Sequence, residues 1–291
     1  MTTSERKTVP VFINPESGSA DSIMDLLQQD ARLEVHAVPA LQMADEIREL
    51  VQAGAKRILV SGGDGTLALA AGVLAGTATA LGVIPGGTLN HFAGRMGIPT
   101  DPPTAIDLAL TGKPQAVDVA YVNDRLFINT SSVGAYVQFV RTREHLETRM
   151  NYPLASLLAG IRRLLRLRSA RIQLDGQLIR TPLVFIGVGE RELGFPSLGQ
   201  SSQDGENALH LIALKSDNVL DTLKLALNVM LRGIDPLSRE GQVEHYMTHS
   251  LELYYSRKTS HIHVAVDGEL TLMQAPLRYR YAKDALQVVL Q

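Results

Sequence analysis

Three times within the first ninety residues a short apolar run opens into a loop of turn formers, and a helical pattern follows. Val9 to Ile13 precedes "NPESGSA", Ile58-Leu59-Val60 precedes "SGGDGT", and "LGVI" precedes "PGGTLN". Between the first two lie an alternating run, "RLEVHAV", and a helical stretch, "MADEIRELVQAG", closed by Gly54. Such strand and helix alternation predicts a parallel sheet with helices on both faces, whose ligands sit beyond the carboxyl ends of the strands. All three loops fall on that edge, and together they would make a nucleotide-sized site.

The pattern changes near Ala116. From "AVDVAYVNDRLFINTSS" onward, short alternating runs dominate, among them "ARIQLDGQLIRTPLVFIGVG", "SHIHVAVDGE" and "PLRYRYAKDALQVVL", which read as antiparallel strands. Helical stretches interrupt them near Pro153 to Arg168 and Val219 to Arg232. The expected division is an α/β domain over residues 1–118 and a β-rich domain over 119–291, with the extreme C-terminus free to return to the first. A chain of 291 residues is long enough for both to have cores.

A formal charge of -2, from 28 basic and 30 acidic residues, gives no global attraction to nucleic acid or acidic lipid. With no cysteine, disulfides, thiolate zinc sites and a cysteine nucleophile are excluded, and the cytoplasm is the simplest compartment. The N-terminus shows no apolar core of signal-peptide length, so the mature chain is expected to start at or near Met1. Gly65 to Asn90 carries no charge, yet its Ala, Gly and Thr content and the breaks at "TAT" and "PGG" read as a short helix and a short buried strand, not a membrane span.

A strand that ends in Gly62-Gly63-Asp64-Gly65-Thr66 exposes successive N–H groups, and the helix expected from about Leu67 adds its positive end. Glycine permits close backbone approach and positive φ, and Thr66 could cap the helix or donate to a ligand. Asp64 beside phosphates calls for a divalent cation or an ordered water between them. The alternative is a tight turn in which Asp64 caps. Downstream, Asp267-Gly268-Glu269 reads either as a hairpin turn or as a general base with a carboxylate neighbour. The GxxxxGK[ST] phosphate loop and the HRD and DFG kinase signatures are absent.

Taken together, "VFINPESGSA", "GGDGT", "GVIPGGTLNHFAGRMGIP", "VDVAYVNDRLFINTSSVG", "TPLVFIGVG" and "VAVDGEL" resemble, in order and over nearly the whole chain, the diacylglycerol kinase catalytic family. Bacterial lipid kinases belong to it, and sphingosine and ceramide kinases are related. "GGDGT" is shared with NAD kinases and phosphofructokinases; "PGGTLNHFA" with a late DGE is far more specific. The resemblance implies a doubly wound N-terminal domain like theirs, an antiparallel sandwich-like second domain, and ATP in the cleft. Asn14, Pro15, Ser17, Gly18, Gly62, Gly63, Asp64, Gly65, Thr66, Gly87, Thr88 and Asn90 would bind the nucleotide. Glu269 would be the base toward a lipid hydroxyl, with Asp267 and Asp64 organising Mg2+ and water. Diacylglycerol is the default acceptor. The protein is expected at the inner face of a membrane, without nucleic acid, and with room for a homodimer.

Several positions depart from the family pattern. Ala68 and Leu69 stand where Asn and Glu are common, His91 replaces an aspartate, and "GVGE" from Gly187 lacks an expected asparagine pair. "QDGENALHL" matches a structural magnesium stretch loosely, leaving Asp204 as the candidate ligand and His210 where a final aspartate is expected. The changes at Ala68, Leu69 and His91 keep open a nucleotide-binding regulatory protein without catalysis, while a kinase of a soluble substrate, of the NAD kinase type, is disfavoured by "PGGTLNHFA" and the late DGE. In "LLAGIRRLLRLRSAR", Leu157, Leu158, Ile161, Leu164 and Leu165 share one face and Arg162, Arg163 and Arg166 the other, which fits either a helix covering a sheet or one lying on anionic lipid. His245, His249, His261 and His263 read as surface residues rather than a zinc site.

Overall fold

A computed structural model describes residues 8–15, 20–134, 170–174, 177–181, 183–192, 202, 205–214, 243–254 and 260–291. Ser17, Gly18, Asp204 and the helical stretches expected at 153–168 and 219–232 lie outside the described residues. The chain divides into two compact units, Met1–Val119 with Ala282–Gln291, and Ala120–Tyr281.

In the first unit, β1 (Val9–Ile13), β2 (Leu33–Ala37), β3 (Arg57–Gly62) and β4 (Ala80–Pro85) form a parallel sheet in the order β2-β1-β3-β4. The end of the last strand joins it, with Val288 parallel to Leu81. β3 is buried from Ile58 onward and β4 throughout, which is why both read as unbroken apolar runs rather than as alternation. The helices are α1 (Ala20–Gln29), α2 (Ala40–Gln52), α3 (Asp64–Leu74), α4 (His91–Arg95) and α5 (Pro102–Thr111). Ile23 and Leu27 of α1 and Ile106 and Ala109 of α5 pack with Val11, Ile13, Leu59 and Ile84 of the sheet. α2 and α3 pack on each other, and α3 lies against β3 and β4. Gly54 takes φ +84° just beyond α2 and donates its N–H to the Val51 carbonyl, as the sequence anticipates.

The uncharged stretch Gly65–Asn90 thus folds mainly as most of α3 and the whole of β4, and among the described residues no helix is long and apolar enough to cross a membrane. α5 was not singled out by its sequence. Its start is nevertheless specified locally: Asp101 accepts from the Thr104 N–H, and Pro102 and Pro103 occupy the first helical positions.

The second unit is antiparallel. Its strands are β5 (Lys113–Val122), β6 (Arg125–Phe127), β7 (Thr130–Gly134), β8 (Ala170–Leu174), β9 (Gln177–Thr181), β10 (Leu183–Val188), β11 (Leu209–Leu214), β12 (Val243–Thr248), β13 (Ser250–Tyr254), β14 (His261–Val266), β15 (Glu269–Gln274) and β16 (Leu277–Leu290). β5 and β16 contribute residues to both units. One sheet runs β12-β11-β10-β7-β14-β15, and a second set runs β16-β13-β8-β9. Val133, Val184, Ile186, Leu211 and Val264 of the first share a core with Ile172, Leu251, Leu253, Leu277 and Tyr279 of the second. The architecture is a mixed α/β chain with a parallel-dominated sheet and a separate antiparallel sheet, as the change of pattern near Ala116 led us to expect.

Candidate functional site

In the first unit, β1, β3 and β4 are adjacent and parallel, so their carboxyl ends are neighbours, and the described loops after β3 and β4 lie side by side. The bareness of two of these loops has a packing cause. A Cβ built on Gly87 would lie 2.6 Å from the Gly63 Cα, and one on Gly62 would lie 2.7 Å from the Thr66 Cβ. The Gly86 N–H donates to the Gly62 carbonyl at 2.9 Å. Gly63 has φ −84°, and Gly62 and Gly87 likewise lie outside the left-handed region, so the expected positive φ is not used at these three. Close approach of one glycine loop to the other leaves no room for a side chain at Gly87, and Thr66 of the same loop leaves none at Gly62.

Polar groups complete the lock. Asn90, left-handed at φ 48°, accepts from the Gly87 N–H at 2.8 Å and donates to the Gly87 carbonyl at 2.7 Å. Asp64 accepts from the His91 N–H at 3.0 Å and the Phe92 N–H at 2.8 Å. Helix α3 starts at Asp64 itself, three residues before the position expected from the sequence, so Thr66 lies inside its first turn. Asp64 caps, but it caps α4 rather than its own helix. No side chain caps α3, whose first-turn N–H groups therefore present an anion-binding end. Asn14 closes β1 and is half-buried, Pro15 is exposed, and Thr88 and His91 are exposed on the second loop.

In the second unit, Asp267 (φ 47°) and Gly268 (φ 87°) form a two-residue hairpin turn that pairs Val266 with Glu269. The hairpin reading therefore holds, and the carboxylates on it are not alike. Asp267 accepts from the N–H groups of Ile128, Asn129 and Thr130 at 2.8, 2.8 and 3.0 Å, and its own N–H donates to the Thr130 carbonyl. Glu269 is 57% exposed and meets the Arg125 guanidinium at 2.5 Å. Of the three acidic residues expected to act, Asp64 and Asp267 bond backbone N–H groups while Glu269 faces solvent beside a cation.

Two arginines of this region were not anticipated. Arg125 follows the Asn123-Asp124 turn, and only the fold brings it to Glu269. Arg191 is buried and donates to the Asn129 and Val188 carbonyls, and its backbone N–H donates to His210 Nδ1 at 2.9 Å. Burial lowers His210 to about 4, with His245 and Arg191 adding to the shift against Glu190. With Nδ1 accepting, the neutral ring carries its proton on Nε2, which has no hydrogen-bond partner among the described residues. Glu190 accepts from the Glu206 N–H. His245 meets His210 edge-on, His249 meets Tyr281, and His261 lies beside Ser260. Among the described residues, no three acidic or histidine side chains converge as metal ligands.

Residues 8–122 match the family profile of the diacylglycerol kinase catalytic domain. A Pseudomonas putida protein named "Probable lipid kinase YegS-like" is 30% identical over 251 residues, covering 83% of this chain and 79% of its own. A Klebsiella pneumoniae protein of the same name is 28% identical over 208 residues, 68% of this chain and 70% of its own. A diacylglycerol kinase of Staphylococcus carnosus is 27% identical over 231 residues, 74% and 75%. In fold, the chain is similar to a diacylglycerol kinase from Bacillus anthracis with a TM-score of 0.67 at 19% identity, over 98% of this chain and 97% of that one.

Proposed function

Because the chain belongs to the diacylglycerol kinase catalytic family of lipid kinases, we propose that it transfers the γ-phosphate of ATP to the hydroxyl of a membrane lipid, converting diacylglycerol to phosphatidate. The observation that carries this reading is the pair of interlocked glycine loops beside an uncapped helix start, followed in the second unit by a solvent-facing glutamate. In this reading the first-turn N–H groups of α3, with Gly63, Gly65, Thr66, Gly87 and Thr88, cradle the phosphates, and Asn14 and Pro15 border them. Asn90 and Asp64 act from behind by holding the two loops in register. Ser17 and Gly18 as further nucleotide contacts, and Asp204 as a magnesium ligand, are proposed on resemblance alone.

Glu269 takes the proton of the lipid hydroxyl as its oxygen bonds to the γ-phosphorus and the bond to the β-phosphate oxygen breaks, leaving ADP. Arg125 holds the Glu269 carboxylate in position, and Asp267 fixes the turn from which Glu269 projects. Transfer of this kind depends chiefly on positioning and on neutralising charge. Mg2+ fits such a site with few protein ligands, because it is commonly held by phosphates, waters and one or two carboxylates. When bound, it would neutralise charge on the transferring phosphates. The reaction would run in the cytoplasm at the inner face of the membrane.

Labelled ATP, Mg2+ and a total lipid extract in mixed micelles test the proposal. Wild type should label one lipid, identified by its mobility, and Glu269→Gln should lower that rate by about a hundredfold or more. Folded protein that binds ATP and labels no lipid would point instead to the regulatory reading.

A further inference from the structure

The strands β13, β8 and β9, and β16 over Leu277 to Tyr281, alternate. Leu277, Tyr279, Leu251, Leu253 and Ile172 face the core, and the intervening residues form the opposite face. Over the paired residues 277–280, 250–254, 170–174 and 177–181, that face carries Arg278, Arg280, Arg171 and Arg180 against the carboxylate of Glu252. Arg180, Arg278 and Arg280 are exposed and Arg171 is half-buried. Among the described residues, none of the four lies within ion-pair distance of a carboxylate, whereas Arg32, Arg48 and Arg125 all do.

Arg171 and Arg180 sit directly opposite each other across the β8–β9 hairpin. Like charges in that position destabilise a strand pair unless an anion lies between or above them. Arg280 stacks over Tyr121, with its guanidinium carbon 4.1 Å from the ring centroid, and Tyr254 is opposite Arg171. Leu178, opposite Gln173 on the same face, is 50% exposed. A cationic sheet face with tyrosines and a protruding leucine matches a surface that is anionic outside and apolar just beneath.

We propose that this face docks the protein on an anionic phospholipid bilayer, with the arginines on headgroup phosphates and Leu178 entering the acyl boundary. The proposal rests on the lipid-kinase reading for its choice of partner, since an acceptor held in a membrane requires the enzyme to settle there. A polyanion without an apolar layer, such as RNA, leaves Leu178 unexplained, and the chain's net charge of -2 gives no general attraction to it. The attraction is local to one face, so it responds to substitutions there and to salt.

Flotation of the full chain with phosphatidylcholine vesicles, with and without phosphatidylglycerol, tests this without ATP or turnover. Wild type should bind only the vesicles containing phosphatidylglycerol, and more weakly as salt rises. Removing an arginine should cost roughly fivefold in partitioning, so Arg171→Gln, Arg180→Gln and Arg278→Gln combined should lose about a hundredfold. Lys56→Gln with Lys113→Gln, in the first unit, should change little. If the triple variant fails to fold, Leu178→Glu alone should still weaken binding. Wild type that ignores anionic vesicles, or binds RNA instead, overturns the assignment, as does undiminished binding by folded arginine or leucine variants. Phosphorylation of lipid in neutral detergent, measured in parallel, separates the two claims. Arginine-dependent flotation without labelled lipid supports the surface while removing the kinase reading; labelled lipid with arginine-independent flotation does the reverse.

Discussion

Asp267 and Glu269 stand two residues apart at one turn, yet backbone N–H groups take up the first carboxylate while the second faces solvent beside Arg125. Asp267 answers three backbone N–H groups, so Asp267→Ala should leave these donors unpaired and lower stability by about 2–4 kcal/mol in urea denaturation. Glu269→Gln, at an exposed site, should leave the denaturation midpoint unchanged while activity falls. An Asp267→Ala protein as stable as wild type would show that those hydrogen bonds contribute nothing net. Gly87 admits a similar test from packing. An alanine there would place a Cβ 2.6 Å from the Gly63 Cα, so Gly87→Ala should spread the loops, costing about 1–3 kcal/mol and weakening ATP binding in calorimetry. The types of these residues are visible in the sequence, but their partners are not. The glycines read there as permitting positive φ or ligand approach, whereas the fold shows them making room for one another. Asp64 finds its N–H partners 27 and 28 residues away, across a strand and a loop, where no local spacing could reveal them.

At the scale of elements, legibility followed burial. β3 and β4 announce themselves because covering a parallel sheet on both faces demands unbroken apolar runs, and β13 and β16 because one covered face demands alternation. α5 passed unmarked, although "DPPT" is a legible start signal. Its other end is tied by a residue remote in sequence: Arg57, in β3, donates to the carbonyls of Ala109, Leu110 and Gly112. Those are the acceptors a helix leaves open at its C-terminus, and a guanidinium there also meets the negative end of the dipole. Burial lowers the Arg57 pKa, and the three carbonyls offset the cost of desolvating its charge. Arg57→Met keeps the aliphatic stem and removes every donor. It should therefore lower the stability of the first unit by about 2 kcal/mol, read as faster hydrogen exchange across α5 than elsewhere. Uniform exchange across the unit would mean that Arg57 does not hold this helix end in particular.

At the scale of the whole molecule, among the described residues of the second unit one histidine should contribute a distinct response to acid. His210 has an ordinary value of 6.5 and is lowered by burial to about 4 in the folded chain. Between those values the unfolded chain binds the proton and the folded chain does not, so stability rises with pH across that interval. The contribution is fully present above about 6.5 and is lost as pH falls toward 4. The two values give a loss of about 2 kcal/mol between pH 7.5 and pH 5. Asp30, held below its ordinary 3.8 first by its hydrogen bond from Arg32, loses its contribution only at still lower pH, so the two effects separate. His210→Gln keeps an acceptor for the Arg191 N–H but cannot titrate. Urea denaturation across this range should show a slope for wild type that the variant lacks, followed by similar behaviour of both below pH 4. Equal slopes would mean that the ring reaches solvent readily enough to take up its proton in the folded state. In that case the neutral His210, and with it the buried link from Arg191 to Asn129 behind the Asp267 turn, would not be a fixed part of the support beneath Glu269.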